Sequence, residues 1–158
     1  MNGNNQALID DCYNELTKIE CFIKSDPLSS LCPYLISYCV VRACGTIEVC
    51  TKNIIFDYLS FGVRSETINY LEKEILESSW NPSCGAIQKL LDKINSDWSL
   101  QFQALTSGIK EKGDLTSLVN LRNDFSHGQK ITATIANIMT YFQGGCKILE
   151  ILDYIIQP

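Results

Sequence analysis

The chain has 158 residues, 46% of them hydrophobic, with a net charge of -5 and a pI of 4.8. That length and apolar content support an ordinary hydrophobic core and exclude wholesale disorder. The acidic balance excludes a general nucleic-acid coat protein or a binder of anionic membranes, so any nucleic-acid contact must come from a local basic patch.

The opening stretch MNGNNQALIDDCYNE has neither a basic start nor an apolar core, so no secretory leader is expected. The most apolar region, Tyr34 to Cys50, contains Arg42 and Glu48 and falls short of a membrane span. A cytoplasmic protein with no membrane partner is expected. The eight cysteines, Cys12, Cys21, Cys32, Cys39, Cys44, Cys50, Cys84 and Cys146, form no CxxC pair, and the chain has one histidine. Zinc-finger spacing is therefore absent, and the cysteines read as reduced, small core residues. Neither a metal nor another cofactor is expected.

Taken in chain order, the pattern is helical almost throughout, which predicts a single all-α domain over residues 1–158. Leu8, Cys12, Leu16, Ile19 and Ile23 recur at helical spacing between about Asn5 and Lys24. SDPLSS interrupts the pattern, and a second helix is predicted from Cys32, with Pro33 in its first turn, to about Phe61. Its apolar residues point nearly all round the axis. Such a helix is central to a bundle, contributes to a dimer interface, or does both.

Gly62 ends that helix, and SETINYLEKEILES predicts a shorter peripheral one capped by Ser65. NPSCG predicts a turn before a helix from about Cys84 to Ile94. Asp97 is the expected cap of WSLQFQALTSGIK, KEKGD the expected loop, and Asp114 the cap of a helix through Leu115, Leu118, Val119, Leu121 and Phe125. Gly128 stands where a left-handed C-terminal cap is expected. The last helix is predicted from about Thr132 to Ile155, with Gly144 and Gly145 marking a kink or a close helix crossing.

The only histidine lies in LVNLRNDFSHGQ, at the polar end of an otherwise apolar helix. Spacing alone leaves two readings open. In one, Arg122 is a solvated surface residue, Asp124 and Lys130 form a polar rim, and His127 complements the helix dipole. In the other, Arg122 offers a permanent planar cation to a phosphate. His127 belongs to the residue type that titrates near ~6.5 and exchanges protons at neutral pH. Asn123, four residues before His127, would orient the imidazole or donate to a phosphoryl oxygen. Such a set can cleave RNA without metal. The reaction needs a base and an acid, and a two-fold dimer supplies two histidines from a chain that has one.

Arg, then a polar residue, then His four to six residues on is a pattern met here as RNDFSH, and by it the chain resembles the HEPN superfamily. VVRACGTIEVCTKNIIFDYL is similar to the long second helix of its RiboL-PSP group, and ITATIANIMTYFQGGCKILEILDYII to the closing helix. The resemblance covers nearly the whole chain. It implies a dimeric, metal-independent endoribonuclease of a toxin–antitoxin or antiviral-defence system. Two motifs would then meet at a composite site, and an antitoxin or defence partner protein is implied. Arg122 and His127 would carry catalysis with Asn123, supported by Asp124 and Ser126. The alternative is a catalytically silent module that binds a partner protein or a nucleotide. HEPN proteins paired with nucleotidyltransferase antitoxins often carry a tyrosine two residues after the histidine; here that residue is Gln129, so that regulation is not implied.

Glu48 lies on the helical wheel among Val41, Ile55 and Leu59, where a carboxylate needs a partner. An i,i+4 pair with Lys52 and a contact with Arg122 or His127 both satisfy that need. Between Lys110 and Lys130 the cations Lys110, Lys112, Arg122 and Lys130 barely exceed Glu111, Asp114 and Asp124, which predicts modest RNA affinity per chain.

Overall fold

The computed structural model describes residues 1–157, and among them every regular element is helical. The helices are α1 (Gly3–Ser25), α2 (Cys32–Leu59), α3 (Ser65–Leu71), α4 (Cys84–Ile94), α5 (Ser96–Thr106), α6 (Lys110–Ser126) and α7 (Ile135–Ile156). A π turn, Glu72–Leu76, extends α3. The all-α class read from the periodicity holds.

Helices α2 and α7 form the centre. α7 packs against α6, α2, α5 and α1, and α2 also packs against α1, α6 and the π turn. Cys39, Val40, Ala43, Ile47, Cys50 and Ile55 of α2 are fully buried, as are Ile148, Leu149 and Leu152 of α7. Burying side chains of this kind contributes roughly 1.5–3 kcal/mol each for the larger aliphatic ones. All eight cysteines are free, and Cys21 alone is exposed.

The polar edge of α2 is not a solvated face. Arg42 bonds Glu15 at 2.9 Å, and Asn53 bonds the buried Asn5 at 2.9 Å, so this edge is stitched onto α1. The apolar residues left over are the ones that meet solvent. Tyr34, Tyr38, Val41 and Val49 are exposed along one strip of α2. Excess apolar surface on this helix is therefore not consumed within one chain.

Several boundaries differ from the sequence reading. Helix α5 ends at Thr106 because Gly108 adopts φ +76, a left-handed break. KEKGD is not a loop: α6 starts at Lys110, and Asp114 lies inside it, packed over Gly144. Helical Gly113 costs about 1 kcal/mol, which the packing of α6 on α7 offsets. Asn95, not Asp97, caps α5, accepting from the Asp97 N–H at 2.9 Å. Ser65 is the first residue of α3 and makes no cap bond. Thr134, not Thr132, caps α7, because Asn137 reciprocates at the third helical position and satisfies a second orphan donor.

The paired glycines of α7 mark a close crossing. A Cβ on Gly144 would lie 2.5 Å from the Asp114 Cβ, and one on Gly145 would lie 2.9 Å from Ile47 Cδ1. The side chains of Asp114 on α6 and Ile47 on α2 lie directly against the α7 backbone there.

Candidate functional site

The end of α6 closes as the sequence predicts. Gly128 has φ +76, its N–H donates to the Phe125 carbonyl at 3.0 Å, and the Gln129 N–H donates to the Asp124 carbonyl at 2.9 Å. These two crossed bonds are a Schellman closure, which a residue with a Cβ at position 128 would strain. His127 is the capping residue, and its side chain is exposed. The sharp reversal at Gly128 holds the imidazole clear of the helix instead of letting the next turn cover it.

Leu115, Leu118 and Val119 bury the inner face of α6. Arg122 and Asn123, one turn later, are half-buried, and Ser126 is exposed. Burial pushes the Cys44 thiol of α2 up to about 11; the Arg122 charge opposes that shift and the Glu48 charge adds to it. Both charges are therefore felt at Cys44, where α2 passes beneath the end of α6.

Among the described residues, Arg122 has no carboxylate within ion-pair distance. Its side-chain partner is neutral: Nη1 donates to Asn123 Oδ1 at 3.4 Å. Arg42 and Lys52, by contrast, are each paired with a carboxylate. A half-buried guanidinium without a carboxylate partner is suited to an incoming oxyanion, and the exposed His127 lies at the same helix end.

The supporting residues fall into distinct places. The Ser126 hydroxyl donates to the Arg122 carbonyl at 2.9 Å, so it is bound to the helix backbone. Asp124 is half-buried and serves the cap through its carbonyl. Glu48 meets Lys52, 2.7 Å away, and among the described residues it forms no ion pair with Arg122 or His127. Of the two partners its spacing allowed, the structure supplies Lys52. Lys52 is itself buried, and its ammonium also donates to the carbonyls of Leu76 and Ser78.

One residue of the site was not visible in the sequence. Asn81, in the NPSCG turn, donates from Nδ2 to Asn123 Oδ1 at 3.1 Å, while its own Oδ1 is buried with no protein donor. Nothing in the local pattern marks it, because the partner lies 42 positions away. Among the described residues no three His, Cys, Asp or Glu side chains converge as a metal-ligand set. No helix among them is long and apolar enough to cross a membrane.

The RiboL-PSP-HEPN family model matches residues 8–158, from Leu8 in α1 onward. The chain belongs to the RiboL-PSP-HEPN family. Family membership and the all-helical architecture agree with each other, and the RNDFSH motif falls on α6, immediately before the closing helix. No curated protein and no solved structure matches the chain. Membership supports a HEPN-type function, which is often RNA cleavage, and HEPN domains often act on RNA as dimers.

Proposed function

We propose that this HEPN protein is a metal-independent endoribonuclease whose active site is composite, formed where the α6 ends of two copies meet. The observation that carries the reading is Arg122: a half-buried guanidinium without a carboxylate partner, on the same helix end as the exposed His127. A structural arginine in that position would be expected to hold an acid, as Arg42 holds Glu15.

The chemistry follows from the two groups. One imidazole takes the proton of a ribose 2′-hydroxyl, and the freed oxygen attacks the adjacent phosphorus. The new O2′–P bond forms as the P–O5′ bond breaks, and the imidazole of the second copy gives a proton to the departing 5′-oxygen. Arg122 donates to the non-bridging oxygens, where negative charge accumulates. Asn123 adds a neutral donor beside it. The products are a 2′,3′-cyclic phosphate end and a 5′-hydroxyl end.

The exposed strip of α2 supports the dimer. Val41, Gly45 and Val49 follow one another at i,i+4 spacing, one step round the helix from Cys44 and Glu48. A two-fold contact on this strip would bring the neighbouring α6 ends of two copies toward a common cleft. By the family's habits, the protein would serve as a toxin or antiviral-defence effector, restrained by an antitoxin or defence partner. Eight free cysteines suit a reducing cytoplasm.

The test is cleavage of synthetic RNA by the purified protein with a chelator present. Cyclic-phosphate ends whose yield depends on Arg122 and His127 support the reading. Intact RNA, from a protein shown to be folded, would favour a silent module that binds a protein or nucleotide.

A further inference from the structure

We infer that Asn81 is a positioning residue that sets the orientation of the Asn123 carboxamide; its catalytic consequence rests on the ribonuclease reading above. Asn123 Oδ1 accepts from two sides, from Asn81 Nδ2 at 3.1 Å and from Arg122 Nη1 at 3.4 Å. An amide oxygen has two acceptor sites, and these two donors occupy both. The Asn123 NH2 group donates to no protein atom among the described residues, so it is left as a free donor. Were the carboxamide turned over, its NH2 group would confront two other donors. The Asn81 N–H and the Arg122 guanidinium together disfavour that turn.

The loop that presents Asn81 is held from beneath. The Lys52 ammonium donates to the Leu76 carbonyl at 3.4 Å and to the Ser78 carbonyl, just after the π turn frees the helix end. Glu48 neutralises that ammonium at 2.7 Å. Ser83 then caps α4, accepting from the Ala86 N–H at 3.2 Å, and fixes the far side of the loop. Glu48 thus acts on the α6 end through Lys52, the 76–81 segment and Asn81, although it touches neither Arg122 nor His127.

Asn81 is poorly suited to a purely structural role. Its Oδ1 is buried without a protein donor, which is a standing cost that an apolar side chain would not carry. A position kept for stability alone would therefore gain from losing the amide. The one bond Asn81 makes with its side chain goes to the residue beside Arg122.

The isosteric change Asn81→Asp removes the donor and leaves an acceptor facing Asn123 Oδ1, so Asn123 must turn its NH2 group inward. The expected result is a fall in kcat on the order of tenfold with little change in KM. Asn81→Ala should lower kcat similarly without lowering the thermal midpoint. In an Asn123→Ala background neither change should lower the rate further, because both act through the Asn123 amide. The ¹⁵N-resolved side-chain NH2 signals of Asn123 should shift in Asn81→Asp. Unshifted signals overturn the inference whatever the RNA assay gives, as does a wild-type rate for Asn81→Asp or full additivity with Asn123→Ala. RNA left intact by the wild-type protein instead brings down the ribonuclease reading, and with it the catalytic consequence drawn here. The NMR arm would still decide the contact.

Discussion

Asp114 of α6 and Gly144 of α7 meet so closely that a Cβ on the glycine would lie 2.5 Å from the Cβ of the aspartate. A Cβ is tied to its backbone and cannot swing away as the tip of a long side chain can. The contact therefore sets how near α6 stands to α7, and through α6 where the RNDFSH end is carried. Gly144→Ala should destabilise by about 1–3 kcal/mol, the usual range for overpacking, even though alanine is the better helix former by about 1 kcal/mol. Gly145→Ala should cost less, since its nearest neighbour is the Cδ1 at the far end of the Ile47 side chain and not a Cβ fixed to its backbone. Denaturant midpoints of the two variants check the order, and equal or improved stability in Gly144→Ala would contradict it.

His127→Ala and Arg122→Ala should each reduce RNA cleavage by roughly 10²-fold or more. Both side chains lie at a helix end outside the core, so thermal midpoints should hardly move. The double variant should be little worse than either single one, as residues acting as one unit rarely add. Toxicity on expression should disappear with each. A folded His127→Ala protein with full activity would end the ribonuclease proposal.

Glu48→Gln removes the charge that balances a buried ammonium. The glutamine oxygen still accepts from Lys52, so the loss should sit at or below the roughly 3–5 kcal/mol typical of breaking a buried pair. Because Lys52 also holds the Leu76 and Ser78 carbonyls, activity should fall along with stability. Unfolding and cleavage measured on one preparation check this. A silent variant would return Glu48 to the behaviour of an exposed i,i+4 pair, worth under ~1 kcal/mol.

Stability should decline at alkaline pH. Burial pushes the Cys39 and Cys146 thiols up to about 12, and those of Cys44 and Cys50 up to about 11, from an ordinary value of 9.0. Below pH 9 these thiols are protonated in both folded and unfolded chains, and they cost nothing. Above it the unfolded chain releases protons that the folded chain retains, so stability is lost as pH rises from about 9 toward 11–12. The thermal midpoint should fall across that window and stay level just beneath it. At neutral pH a thiol reagent should label the exposed Cys21 well before the others.

The protein should be a homodimer at micromolar concentration. Val41→Glu or Val49→Glu places like charges against each other across a two-fold contact and should yield monomers with little cleavage activity. Light scattering gives the mass. A monomeric wild-type protein would remove the second imidazole, and with it the composite site.

Short-range chemistry made much of this molecule legible. Periodic apolar residues, Pro33 in a first turn, and Gly128 after His127 act over one or two helical turns, so they specify helices and their ends within the sequence itself. The all-α class and the Schellman end of α6 could be read that way, and RNDFSH could be placed on that end. The errors arose where local signals competed. WSLQFQALTSGIK read as one segment through Gly108 and KEKGD as a loop, whereas Gly108 takes the left-handed conformation that ends α5 and Gly113 lies inside α6. Thr132 and Thr134 both look like caps, and the reciprocal bond from Asn137 chose between them.

What the tertiary structure alone decided are the pairings between elements distant in the chain. Periodicity gives a side chain its face of a helix but does not say which neighbour that face will meet. Hence the periodicity of α2 did not say that Arg42 and Asn53 would be bonded to α1. The Lys52 partner of Glu48 was one of two that the spacing allowed, while the burial of that pair and its hold on the 76–81 loop followed only from the π turn lying over α2. Asn81 meets Asn123 because that loop happens to end beside α6, and a contact across 42 residues leaves no periodic trace in the sequence.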